Sequence, residues 1–100
     1  MKKTLLLLGA EGGSARITLL KENGAEVFQV TVSEMFSAGD QESFSTKELA
    51  WEKFQKRVPA WVMLYPLELS EDLRPLVRIA YEESEMKDEY TDKKWQDHLA

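Results

Sequence analysis

The chain has 100 residues, of which 43% are hydrophobic and 31% charged, a composition that suits one globular domain over residues 1–100. Its formal net charge is −5, and acidic residues outnumber basic ones in both halves of the sequence. This charge gives nucleic-acid binding little electrostatic support and suits a basic protein partner. The absence of cysteine excludes disulfides, thiolate catalysis and cysteine-ligated metal sites. No apolar run is long enough to span a bilayer, so we expect no membrane partner and a cytoplasmic location.

The first eight residues place two lysines before four leucines and so imitate a secretory signal. The apolar region of a signal usually extends over ~7–15 residues before a small-residue cleavage site, whereas Glu11 interrupts this run early. A buried first strand over residues 4–8 is therefore the preferred interpretation.

The clearest local signal is Asn23-Gly24, which stands between two runs of alternating apolar and polar residues. Asn-Gly favours a two-residue hairpin turn, because both central residues of a type I′ turn need a positive φ. This turn fixes a register in which one face is apolar and the other mainly polar. The predicted pairs are Ala15 with Val32, Arg16 with Thr31, Ile17 with Val30, Thr18 with Gln29, Leu19 with Phe28, Leu20 with Val27 and Lys21 with Glu26.

The stretch GAEGGS at residues 9–14 has two interpretations, a phosphate-binding loop or a turn between strands. A phosphate loop needs a helix after its glycines, but the residues after Gly13 alternate with the period of a strand. A turn centred on Gly12 and Gly13 would place Leu8 opposite Ile17 and Leu6 opposite Leu19. The sequence therefore predicts a three-stranded antiparallel meander over about residues 3–33.

Gly, Asp and Ser predict a loop over residues 34–45, with the apolar Met35, Phe36 and Phe44 tucked against the core. Ser45 followed by Glu48 is a capping box, which predicts a helix over about residues 46–58.

Residues 60–69 are nearly all apolar, and two interpretations remain open: a short fourth strand near residues 61–65, or an extended loop. Asp72 is a candidate N-cap for a second main helix over about residues 73–88, with Pro75 in its first turn. Residues 93–100 suggest a short helix that docks Trp95 and Leu99. Without that docking, residues 82–100 would form a mobile acidic segment.

Residues 82–92 carry six acidic residues and one lysine, in which Glu83 and Lys87 have the spacing of a favourable helical ion pair. Such a run is usually a solvated face. The alternative is a docking surface for a basic partner, with tyrosine and tryptophan as anchors. Its candidate residues are Glu82, Glu83, Glu85, Asp88, Glu89, Tyr90 and Trp95.

Trp51, Trp61 and Tyr65 form an aromatic group in the middle of the chain. Packing in the core is the usual role of such residues, and a small-molecule pocket is the alternative. No carboxylate pair flanks the group as general acid–base catalysis would need, and the single histidine, His98, lies near the end of the chain. We therefore predict no catalytic residues, no cofactor and no metal site.

Two motifs, GAEGGS at residues 9–14 and WVMLYPL at residues 61–67, resemble a pattern found in small uncharacterised bacterial proteins. In size, charge and expected architecture the chain is also similar to immunity proteins, which bind and neutralise a toxin. That resemblance implies protein binding without catalysis and assigns no residue.

Together these observations predict an α+β fold, in which the N-terminal meander is packed by two main helices. Three functions follow as hypotheses. The first is a non-catalytic protein-binding module, an immunity-type inhibitor or adaptor of a basic partner. The second is a homo-oligomeric structural or regulatory protein, and the third is a small-molecule-binding domain that uses the aromatic group.

Overall fold

A computed structural model describes residues 1–10, 12–33 and 40–100 of the chain. They form an α+β fold, with five strands in one antiparallel sheet and three α-helices. The order of the strands across the sheet is β4-β3-β2-β1-β5. The strands are β1 (Lys2–Ala10), β2 (Gly13–Glu22), β3 (Ala25–Val32), β4 (Asp40–Phe44) and β5 (Tyr65–Leu69), and the helices are α1 (Lys47–Arg57), α2 (Arg74–Glu83) and α3 (Glu89–Leu99).

The hairpin of β2 and β3 has the predicted register at every pair, from Ala15 opposite Val32 to Lys21 opposite Glu26. Its turn places Asn23 at φ 51° and Gly24 at φ 80°, both in the left-handed region. The turn residues thus adopt the conformation that Asn-Gly favours, and this part of the prediction is confirmed.

We expect Gly24→Ala to lower the free energy of unfolding by about 1–2 kcal/mol. No atom lies within 4 Å of a Cβ built at Gly24, so the cost comes from the positive φ alone. Gly24→Asn is the matched control, because asparagine tolerates this region better than alanine. Urea unfolding of both variants measures the difference, and equal stabilities would contradict the explanation.

The predicted register of β1 is wrong by two residues. Leu6 lies opposite Ile17 and Leu8 opposite Ala15, and the last pair of the ladder is Ala10 with Gly13. Because the register is shifted by two residues, an even number, the side chains of Leu6 and Leu8 stay on the apolar face of the sheet. A bulge between Thr4 and Leu6 interrupts the ladder, and the consecutive Leu5 and Leu6 are both fully buried.

Two strands lie outside the predicted meander. Within the predicted loop, β4 pairs with β3, and Phe44 lies opposite Phe28; Met35 and Phe36 lie outside the described residues. Residues 61–63 form one turn of 3-10 helix, and β5 begins only at Tyr65. The prediction of a strand near residues 61–65 is therefore placed too early. Pro66 is compatible with β5 because this strand lies at the edge of the sheet.

The helices also depart from their predicted limits. Thr46, one residue after Ser45, is the N-cap of α1, and its hydroxyl accepts a hydrogen bond from the amide of Leu49. The second helix ends at Glu83 rather than near residue 88, and Asp88 instead caps α3. A third full helix therefore occupies the segment predicted as an acidic extension with a short terminal helix.

One face of the sheet packs against all three helices in a single hydrophobic cluster. Ile17 and Val30 of the sheet, together with Phe54 of α1, are fully buried there. Arg57 of α1 forms ion pairs with Asp40 and Glu42, and these pairs attach the edge strand β4 to the helix. The opposite face of the sheet carries the side chains that alternate with the buried ones along each strand.

Candidate functional site

The turn between α2 and α3, residues 84–88, is closed by hydrogen bonds at both ends. The amide of Ser84 donates to the carbonyl of Tyr81 at 3.2 Å, and the Ser84 hydroxyl accepts from the amide of Met86 at 3.3 Å. At the other end, the carboxylate of Asp88 accepts from the amide of Thr91 at 3.2 Å. Satisfied helix ends of this kind give the turn one defined backbone path.

Three buried side chains attach α3 to the rest of the fold. Thr91 donates its hydroxyl to the carbonyl of Val62 at 3.3 Å, and Trp95 donates its indole N–H to the carbonyl of Leu64 at 2.6 Å. Leu99 is the third, one helical turn after Trp95 on the same face. These contacts hold α3 against residues 62–64 and the core.

The hydroxyl of Tyr81 donates a hydrogen bond to the carboxylate of Asp92, which joins α2 directly to α3. Burial of the side chain, and then this hydrogen bond, raise the pKa of the Tyr81 phenol well above its usual range. The phenol therefore stays protonated in the folded protein at a pH where an unfolded chain would release the proton.

This pKa shift predicts a loss of stability at high pH. Above about pH 10 the unfolded state releases a proton that the folded state keeps, so the free energy of unfolding falls by up to about 1.4 kcal/mol per pH unit. Tyr81→Phe should remove this fall in the free energy of unfolding with pH, whereas Tyr90→Phe should retain it. Urea unfolding between about pH 9 and pH 11 measures the slopes, and identical slopes for both variants would refute the assignment.

Seven side chains of residues 82–90 are exposed, and the six other than Lys87 form what we call the acidic surface. Met86 and Tyr90 are its apolar members, and they are 59% and 67% exposed. The ion pairs found among the described residues involve none of its four carboxylates. The members of the acidic surface are Glu82, Glu83, Glu85, Met86, Glu89 and Tyr90.

Two lysines beside the acidic surface contact aromatic rings. The Nζ of Lys87 lies 4.7 Å from the centre of the Tyr81 ring, and α2 ends before the helical Glu83–Lys87 pair of the prediction can form. The Nζ of Lys94 lies 4.9 Å from the ring of Tyr65 and 5.2 Å from that of Tyr90. Cation–π contacts of this kind position the Tyr90 ring and leave most of it exposed.

The structure divides the predicted docking residues between surface and interior. Asp88 is the N-cap of α3, and Trp95 is fully buried, so neither belongs to the acidic surface. The sequence contained a signal for this placement, because Thr91, Trp95 and Leu99 recur every four residues and so share one helix face.

The aromatic group of the prediction is split in the same way. Trp51 and Trp61 are buried and pack edge to face, with their ring centres 4.9 Å apart, and Trp95 adds a second edge-to-face contact to Trp61. Tyr65 is paired with Gly9 and lies on the opposite face of the sheet, apart from this stack. The three residues therefore do not line a common cavity, and the two tryptophans fill the core.

A cleft of about 490 Å³ lies elsewhere, at the N-terminal end of α1. Its lysines are engaged within the chain: Lys21 pairs with Glu26 at 3.6 Å, and Lys47 donates to the Asp72 carbonyl at 3.0 Å. A hydrogen bond from Lys3 and its positive charge hold the pKa of the Asp72 carboxyl below its usual value. The lining residues are Leu5, Leu19, Lys21, Glu26, Phe28, Ser45, Thr46, Lys47, Glu48 and Asp72.

No protein-family model, no curated protein and no solved structure matches the chain. Within residues 1–10, 12–33 and 40–100, no group of histidine and carboxylate side chains is arranged to hold a metal ion. None of the helices in this part of the chain is both long and apolar enough to cross a bilayer.

Proposed function

We propose that the protein is a non-catalytic protein-binding module that binds a basic partner through the acidic surface. An immunity-type inhibitor or an adaptor is the concrete form of this function. The observation that supports the proposal is that four carboxylates with no ion pair to another described residue lie with the exposed Met86 and Tyr90 around one capped turn.

The two kinds of side chain have different roles in such a complex. Carboxylates without internal partners attract a basic protein and direct its approach, with a strength that falls as salt is added. Tyr90 and Met86 supply contact area, and tyrosine is one of the residues most often found at the energetic centres of interfaces. Because the turn is already ordered, binding costs little additional conformational entropy.

The first test is capture of partners by the tagged protein from a lysate of its own organism, at low salt and at about 1 M salt. We expect a stoichiometric basic protein at low salt that is lost at high salt, because the Debye length falls from about 10 Å at 0.1 M to about 3 Å at 1 M. A partner that is acidic, or one whose binding is indifferent to salt, would contradict the proposal.

A further inference from the structure

The helices of the part of the chain that the structure describes pack on one face of the sheet, and we call the other face the open face. It carries the side chains between the buried ones: Arg16 lies between the buried Ala15 and Ile17 and is exposed. Leu7 and Leu67 are apolar residues of this face, and Leu67 is 53% exposed. The contact between a Cβ built at Gly9 and the Leu67 side chain places Leu67 on the same side of the sheet as Leu7.

Two opposite charges lie symmetrically about Leu7 on the open face. Leu7 is paired with Arg16 of β2 on one side and with Glu68 of β5 on the other. Neighbouring strands are about 4.8 Å apart, so Arg16 and Glu68 are separated by about 10 Å, with the leucine between them. The ion pairs among the described residues include neither of them.

We propose that a second copy of this chain covers β2, β1 and β5 of the open face, related by a two-fold axis that passes over Leu7 and runs nearly along β1. Half a turn about this axis exchanges the two sides of the strand. Arg16 of each copy then lies over Glu68 of the other copy. A single patch thus generates two equivalent ion pairs on either side of a leucine contact, as a two-fold interface requires.

The dimensions of the overlap predict a weak dimer. An axis over β1 places β2, β1 and β5 of one copy over β5, β1 and β2 of the other. Three strands of about eight residues make a surface of about 14 Å by about 26 Å, or about 370 Å² on each copy. The total of about 740 Å² is below the size of standard interfaces and is typical of weak association. Packed sheets lie about 10 Å apart, and the side chains of both inner faces fill the space between them.

One like charge lies near the axis. Lys2 is at the outer end of β1, five residues from Leu7 and paired with Leu20 of the open face. Packed sheets cross at about 30°, so the axis bisects this angle and lies about 15° from each copy of β1, and the two copies separate progressively toward their ends. The two Lys2 ammonium groups therefore diverge into water, while the pairs at the centre stay in contact.

Sedimentation equilibrium over a range of concentrations tests this proposal with the full chain. We expect a monomer–dimer equilibrium for the wild-type protein. Arg16→Glu and Glu68→Arg should each raise the dissociation constant about a hundredfold, because each replaces two attractive contacts with two repulsive ones. An equimolar mixture of these two variants should dimerise again, because all contacts between the two different copies are then attractive.

Lys93→Glu is the matched control, since it changes the net charge as Arg16→Glu does but lies on the exposed side of α3. Leu67→Lys is an independent variant that should also separate the copies, and circular dichroism confirms that each variant is folded. A wild-type chain that stays monomeric up to about 1 mM would overturn the proposal. So would a dimer that tolerates both charge reversals, or a mixture that fails to restore the dimer. Because the acidic surface is separate, its loss should leave the dimer intact.

Discussion

Trp95→Ala should lower the free energy of unfolding by about 3–5 kcal/mol, the largest effect of any single substitution considered for this protein. Trp95 is fully buried, packs against Trp61 and Tyr81, and donates its indole N–H to the Leu64 carbonyl. Truncation leaves a cavity and an unsatisfied carbonyl in the core. Since a small domain has only about 5–15 kcal/mol of stability in total, much of it would be lost.

Tyr90→Ala is the control, because it removes a large aromatic side chain from the same helix at an exposed position. We expect its stability to stay within about 0.5 kcal/mol of the wild type. Urea unfolding followed by far-ultraviolet circular dichroism measures both variants. A Trp95→Ala protein as stable as the Tyr90→Ala protein would show that α3 does not pack as described.

Changing the four glutamates of the acidic surface to glutamine should weaken the complex with the captured partner by about a hundredfold. Each exposed ion pair contributes about 0.2–1 kcal/mol, and four of them together account for a loss of this size. The expected change lies mainly in the association rate, because peripheral charges act chiefly on the approach of the partners. Isothermal titration calorimetry and stopped-flow mixing measure the two quantities.

The matched control neutralises four exposed acids elsewhere, with the substitutions Glu22→Gln, Glu48→Gln, Glu71→Gln and Asp97→Asn. Both quadruple variants have the same net charge, so a general electrostatic effect would weaken binding equally. The proposal requires the control to bind nearly as well as the wild type. Equal losses in the two variants would mean that the acidic surface is not the binding site.

Sequence reasoning succeeded where the determining interactions are local. The register of β2 and β3 follows from Asn23-Gly24 and the alternation beside it, because a two-residue turn leaves one pairing that keeps the apolar residues on one face. The bulge at Leu5 and Leu6 has no comparable local signal. It depends on how β1 pairs with two neighbours at once, one of which, β5, is distant in sequence.

The ends of the helices were harder to predict because the capping residues lie within a run of acidic residues. In a run dominated by acids, Ser84 and Asp88 are inconspicuous, yet they end α2 and begin α3. The edge strands β4 and β5 are short and are identified only by their partners in the sheet. The local run of acidic residues was enough to identify the exposed carboxylates of the candidate site. That Trp95 is buried, and so lies outside this site, became clear only from the way α3 packs against the core.

The most direct measurement is an amide NMR titration of the wild-type protein with the captured basic partner. The proposed function predicts that the largest chemical-shift changes lie within residues 82–90, around Tyr90 and Met86. Shift changes centred on the cleft at Asp72, or on the open face at Arg16, with residues 82–90 unmoved, would contradict the assignment of the acidic surface as the binding site.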